Sequence, residues 1–114
     1  MTDKIVVLTT CSSEKQATRL ARHLVEHHFV ACVNILPQAR SIYRWPDKSG
    51  KDKIETAAEY VLLIKSRRDR FAAVRAAIEK LHTYEVPEII AVPVVEGAAA
   101  YLDWMDRELT VPGE

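Results

Sequence analysis

Apolar and polar positions fall in blocks that switch between a strand-like and a helical period. Ile5 to Thr10 is β-branched and apolar without clean alternation, the pattern of a strand covered on both faces. Ser13-Glu14-Lys15-Gln16 has capping-box form, and Ala17, Leu20, Ala21, Leu24, Val25 and His28 follow at helical spacing, which predicts an amphipathic helix ending near Phe29. Val30 to Leu36 returns to β character and Ser41 to Trp45 stays extended beyond Pro37, so the second strand is long and bent. Pro46 to Lys53 is polar turn material, and Tyr60 to Ile64 is a third strand that completes a hairpin. Ser66 with Asp69 predicts the cap of a second helix, in which Phe71, Val74, Ile78 and Leu81 share a face before an end around His82. Ile89 to Val95 is a fourth strand; Pro93 cannot donate to a ladder and marks an edge, a bulge or a strand end. Tyr101, Leu102, Met105 and Leu109 form one stripe of a short third helix, and Val111 to Glu114 reads as a frayed tail.

The order is βαββαβα, two split βαβ units, which predicts an α+β, ferredoxin-like sandwich: a four-stranded sheet, two helices on one face and an extra C-terminal helix. Val61 to Ile64 and Ile89 to Val92 are apolar at odd and even positions alike, so both faces of the sheet favour leaving water. The helices cover one face, and the short terminal helix is too small for the other. Another copy of the chain is the remaining cover, because each large aliphatic side chain left in water forgoes roughly 1.5 to 3 kcal/mol. A homo-oligomer is expected.

The 114 residues fit a single domain over 1–114 that needs neither disulfide nor metal to hold its fold. Sixteen basic residues balance sixteen acidic ones, which disfavours nucleic acid as a partner. The first apolar run is far too short for a signal segment or a membrane span, so the expected setting is cytoplasmic with no membrane partner. Cys11 and Cys32 are then expected as free thiols.

Several chemistries are excluded by spacing. Gly50-Lys51 lacks the remaining residues of a phosphate-binding loop, and the lysines of Asp47 to Asp52 occupy the ligand positions of a calcium loop, leaving a solvated turn. No nucleophile elbow, H-E-x-x-H or C-x-x-C motif is present, and an enzyme is not expected. His23 and His27 lie four apart on the first helix; without a Cys or carboxylate in sequence reach they read as a wet helix flank. His28 reads as a packed, hydrogen-bonded side chain. Glu85 and Glu88 are oddly spaced in an extended segment, so they are expected on opposite sides. Tyr43 and Trp45 share a face, suited to lining a cleft or packing a subunit contact.

Three stretches carry a resemblance: Ala31 to Pro37 with Ser41 to Trp45, then Lys53-Ile54-Glu55 with Glu59 and Ile64-Lys65-Ser66, then His82 to Ile89. With Pro93-Val94 and Tyr101 to Trp104, the chain resembles the CutA divalent-cation-tolerance family over almost its whole length. The resemblance implies a ferredoxin-like protomer, a tight PII-like homotrimer with sheets packed inward, a cytoplasmic setting, and a role in the response to copper and other divalent metal ions. Where members with proposed copper ligands carry a Cys and a His-His pair, this chain has Thr9, Leu81 and His82, so only His82 matches. Cys11 keeps the strand face of Thr9 and Cys32 lies on a neighbouring segment, both as substitute soft ligands. Thr83 stands in place of the usual Pro, which frees the turn into Tyr84, and the 46–52 loop runs longer than the family's usual turn. The expected function is a non-enzymatic homotrimer that binds copper or other divalent ions through His82 with Cys11, Cys32 or a carboxylate, with no cofactor required. The alternative is a signalling or scaffold trimer with a small effector or protein partner in inter-subunit clefts near Tyr43, Trp45, Glu59, Lys65 and Tyr84.

Overall fold

The computed structural model of the protein describes residues 1–113. The elements are β1 (Lys4–Cys11), α1 (Glu14–Glu26), β2 (Cys32–Pro46), β3 (Asp52–Arg67), α2 (Phe71–Leu81), β4 (Ile90–Pro93) and α3 (Ala99–Leu109), with a short 3-10 turn at Arg68–Arg70 before α2. The four strands form one antiparallel sheet in the order β2-β3-β1-β4, the split βαβ topology of a ferredoxin-like fold. Ser13 caps α1 by accepting from the Gln16 N–H, as its sequence pattern predicts. The helix closes earlier than expected: His28 adopts a left-handed φ of 58°, which lets the Phe29 N–H reach the Leu24 carbonyl. Val25, expected on the apolar stripe, is consequently exposed at the helix end.

Strand periodicity divides the sheet cleanly. Ile5, Val7 and Cys11 of β1 and Leu62 and Ile64 of β3 are buried against Ala17, Leu20 and Leu24 of α1 and Val74 and Ile78 of α2. The opposite residues, Val6 and Leu8, Val61 and Leu63, Leu36, Ile90 and Val92, lie on the bare face. Of these, Leu36, Ile90 and Val92 are 43%, 52% and 43% exposed. The expectation of a sheet apolar on both faces is met.

Ser66 does not cap α2. It is buried at the end of β3 and its hydroxyl donates to the Phe29 carbonyl, while α2 starts at Phe71 without a side-chain cap. Asp69 instead accepts from the Arg67 guanidinium. Tertiary burial of a small hydroxyl here overrides a local capping pattern. β4 is short, lies on the sheet edge beside β1 and stops at Pro93, which pairs with Ile5. The expected frayed tail from Val111 ends at Glu114, which lies outside the described residues.

β2 and β3 run far past the core as a two-stranded arm. Overall extents are 52 × 27 × 23 Å and the radius of gyration is 15.6 Å, against about 13 Å for a compact chain of this length. The arm begins at a bulge between Leu36 and Ala39, where Pro37 withholds an N–H and Gln38 takes a φ of 65°. Its tip is closed by Asp47, whose Oδ1 accepts from the N–H groups of Ser49 and Lys51, and by Gly50 at a φ of 85°. The carboxylate is thus absorbed by its own turn, as the solvated-loop reading requires. Ile42 and Ile54 on one side of the arm and Tyr43 and Trp45 on the other are all exposed, so the arm carries apolar side chains with nothing of its own chain to cover them.

α3 docks at one end of the sheet, on Lys4, Arg67 and Cys32, which share the strand face of Val6 and Lys65, and leaves the rest of the bare face open. Asp106 accepts from Lys4 Nζ at 3.1 Å and from Arg67 at 2.9 Å, the Arg70 guanidinium donates to the Leu109 carbonyl, and Met105 and Leu109 are buried beneath. The Lys4 side chain is only 5% exposed, so its charge depends on Asp106 and on the Asp3 carboxylate 2.5 Å away. Hydrogen bonds from Lys4 and then Arg67 hold the Asp106 carboxyl below the usual carboxylate range. Its contribution is therefore complete above the unfolded-state value and is lost as pH falls through the carboxylate range. Asp106→Asn is expected to lower stability by about 1–2 kcal/mol at pH 7 and to weaken the loss of stability between pH 5 and pH 3. Urea unfolding at fixed protein concentration checks both.

Candidate functional site

Where the arm leaves the core, its inner face and the coil after α2 enclose a depression of about 480 Å³. Tyr43, Arg44 and Trp45 of β2, Glu59 of β3, Thr10 of β1, and Tyr84, Glu85, Val86 and Glu88 of the coil line it. Tyr43 and Trp45 share the face of Glu59 because the register beyond the bulge pairs Ala39 with Glu59 and Tyr43 with Glu55. The Tyr84 hydroxyl donates to Glu59 Oε2 at 2.6 Å. Glu59 is buried, and burial acts to raise its pKa; hydrogen bonds from Ser41, Tyr84 and Thr10 nonetheless hold its carboxyl below the ordinary range. An ionised carboxylate therefore sits in the floor. Burial and the bond to Glu59 push the Tyr84 phenol upward, so it stays protonated and donating.

His82, the C-cap of α2, sits beside this floor with both ring nitrogens engaged. The Tyr84 N–H donates to Nδ1 at 3.0 Å, which puts the ring hydrogen on Nε2, and Nε2 donates to the Thr10 carbonyl at 2.6 Å. The ring also packs on Tyr84, with centroids 4.6 Å apart. The turn through Thr83, expected to be loosened by the missing proline, is pinned by this imidazole. Cys11 Sγ lies 3.9 Å from Nε2. Cys11 is fully buried, and burial, followed by the nearby Glu59 charge, pushes its thiol up to about 11.

The structure thus brings Cys11 and His82 together, and gathers Tyr43, Trp45, Glu59 and Tyr84 around one cleft. Two predicted members fall elsewhere. Lys65 lies six positions along β3 from Glu59, about 20 Å away at strand rise, and its ammonium donates to Asn34. Cys32 pairs with Lys65 in the ladder and lies 3.6 Å from the Tyr101 hydroxyl, whereas Cys11 pairs with Tyr60. Shared β character misled the sequence reading for Cys32, because the register places it about 17 Å along the sheet from Cys11. Both cysteines are free.

Glu85 and Glu88 also depart from expectation. The segment is coil rather than strand, so alternation does not apply and both line the same depression. Ser41, Thr10 and Arg44 join the site without a sequence signal of their own: Thr10 serves it twice, its side chain hydrogen-bonding Glu59 and its backbone carbonyl accepting from His82, and neither contact is visible without the fold. His28 is hydrogen-bonded as expected, to the Glu108 carbonyl at 2.9 Å.

The donor set at Cys11 and His82 does not fit a copper site within this protomer. A soft ion needs a thiolate and an imidazole lone pair. Here the thiol stays protonated and the imidazole has neither nitrogen to spare. Among the described residues no three His, Cys, Asp or Glu side chains converge to hold an ion. What remains is a cleft with three carboxylates against one guanidinium, an aromatic wall and a mouth left open by the arm.

Residues 5–108 match the family model described as CutA1 divalent ion tolerance protein. The chain is 44% identical over 105 residues to the divalent-cation tolerance protein CutA of Thermus thermophilus, covering 92% of this chain and 96% of that protein. It is 42% identical to the human protein CutA over 89% of this chain, yet spans only 53% of that longer protein. The crystal structure of CutA from Xylella fastidiosa superposes with a TM-score of 0.88 at 38% identity, covering 96% of this chain and all of that one.

Two outcomes follow from the buried hydrogen-bond system. Iodoacetamide at pH 8 should leave Cys11 unmodified in the folded protein and label it only in guanidinium, as read by mass spectrometry. Tyr84→Phe should cost about 1 kcal/mol in chemical unfolding and raise the Glu59 pKa toward the usual carboxylate value, followed by carboxyl chemical shifts.

Proposed function

This chain belongs to the CutA1 divalent ion tolerance family, and from that premise we propose that it serves the response to divalent metal ions as a cytoplasmic, non-enzymatic homotrimer whose cleft carboxylates receive the cation. The reading rests chiefly on the ionised Glu59 in the cleft floor with Glu85 and Glu88 at its rim. Self-association is supported by the bare apolar sheet face and by an arm exposed on both sides, which a neighbouring copy would cover. A second copy would also close the open mouth of the cleft and add ligands to a set that is incomplete in one protomer.

The charge and chemistry of the cleft favour a hydrated, oxygen-loving divalent ion over copper held by Cys11, Cys32 and His82. The absence of enzymatic action is supported by the state of the Cys11–His82 pair. A nucleophile and base require a thiol of lowered pKa and an imidazole free to take a proton, and here both conditions are reversed. The two exposed aromatic residues favour a second reading, a PII-like trimer that stacks a small organic effector on Tyr43 and Trp45.

Sedimentation equilibrium at micromolar concentration should give three times the 12.9 kDa chain mass; a monomer overturns the assembly. Mn(II) followed by its paramagnetic resonance signal should bind and weaken at least tenfold in a Glu85→Gln/Glu88→Gln double variant. Unchanged binding in that variant, or none at millimolar ion, overturns the cation reading. A thermal shift by an organic ligand that disappears in Trp45→Ala would then favour the second.

A further inference from the structure

On the opposite side of the molecule from the bare sheet face, α1 presents a pair of histidines that the cleft does not use. His23 and His27 are one helical turn apart, and their ring centroids approach to 4.1 Å with planes tilted by 31°. His27 Nδ1 lies 2.9 Å from the His23 carbonyl oxygen. A carbonyl only accepts, so Nδ1 carries the hydrogen and the Nε2 lone pair is free. An imidazole donating from one nitrogen to a backbone carbonyl while the other stays open is the arrangement that orients metal-binding histidines.

The rings are also held in place. Phe29 stacks on His27 at 5.5 Å and meets His23 edge-on at 6.4 Å, so both rings lie against an aromatic side chain anchored at the start of the core. This confinement removes side-chain freedom that an exposed pair would otherwise lose on binding an ion. Two imidazolium charges at this separation would repel, and partial burial followed by His27 lowers the His23 pKa from its usual value. Lys80 and Arg19 act in the same direction, Glu26 opposes them, and Glu26 itself pairs with Arg22 at 3.6 Å. His23 is thereby biased toward the neutral, lone-pair-bearing form that a metal requires.

We propose that His23 and His27 form a bidentate site for a hydrated borderline divalent ion, Cu(II) ahead of Ni(II) and Zn(II), with water completing the coordination. Two imidazoles without carboxylate or thiolate select that class over Ca²⁺ and Mg²⁺, which prefer oxygen, and over Cu(I), which prefers sulfur. The site is independent of the cleft and of assembly, since α1 packs on the sheet face away from Leu36, Ile90 and Val92.

The test uses the full chain, Cu(II) chloride and isothermal titration at pH 7.5, with electron paramagnetic resonance to count coordinated nitrogens. His23→Gln and His27→Gln should each weaken the site at least tenfold and remove the two-nitrogen pattern. His82→Gln and Glu85→Gln/Glu88→Gln should leave it unchanged, which separates this site from the cleft. Circular dichroism confirms that each variant is folded. Wild-type affinity in either single His variant, or a two-nitrogen pattern that survives in a His23→Gln/His27→Gln variant, overturns the assignment.

Discussion

The constraint on which the rest of the structure depends is a four-stranded sheet that is apolar on both faces and has helices enough for one. α1 and α2 bury Val7, Leu62 and Ile64 completely, and burial at roughly 25 cal/mol per Å² makes that face the main source of stability. α3 covers only one end of the other face because its anchors lie there: Lys4 and Arg67 meet Asp106, and Arg70 reaches the last turn. The bare face, and the arm that extends from it, are the consequence. They place the cleft at a margin, where one wall belongs to the core and the other to a projecting hairpin.

Inside that margin, polar groups are satisfied to the point of inertness. Glu59 is ionised but hydrogen-bonded, Tyr84 is a committed donor, His82 bridges two backbone groups, and the Cys11 thiol is locked in its neutral form. Such networks give a low-dielectric site a fixed geometry, since an unpartnered group there would be costly. The groups left with open valence are the ones on the rim and on the outer flank of α1. Binding chemistry, in this chain, is displaced outward from the residues whose types look most reactive.

Much of the fold was legible because it is written in local periodicity. The βαββαβα order, the Ser13 cap, the long bent β2 and the edge position of Pro93 all follow from spacing and from residues that lack or supply a particular donor. What periodicity missed depends on register and tertiary contact. β3 begins at Asp52, eight residues before its apolar run, because the polar stretch Lys53 to Glu59 is paired with the outer half of β2 rather than packed in a core. Ser66 matched a cap but was claimed by the Phe29 carbonyl. For the site, face-sharing correctly joined Tyr43, Trp45 and Glu59, whereas the separation of Cys32 and Lys65 from them within the protomer follows from the ladder, which spacing alone does not reveal. His23 and His27 looked like a wet flank, and only the carbonyl beneath His27 and the ring of Phe29 distinguish them from one.

The two outer strands of the sheet, β2 and β4, are each interrupted by proline: Pro37 at the bulge, Pro46 at the tip and Pro93 at the last rung. A continuous row of unpaired amide hydrogens along either border would be a template for endless lateral strand addition. Missing donors and a kinked backbone break that row. The chain can therefore display a wide oily surface in a crowded solution while being discouraged from polymerising into a fibre, and growth by face-to-face contact is left as the geometrically easier route.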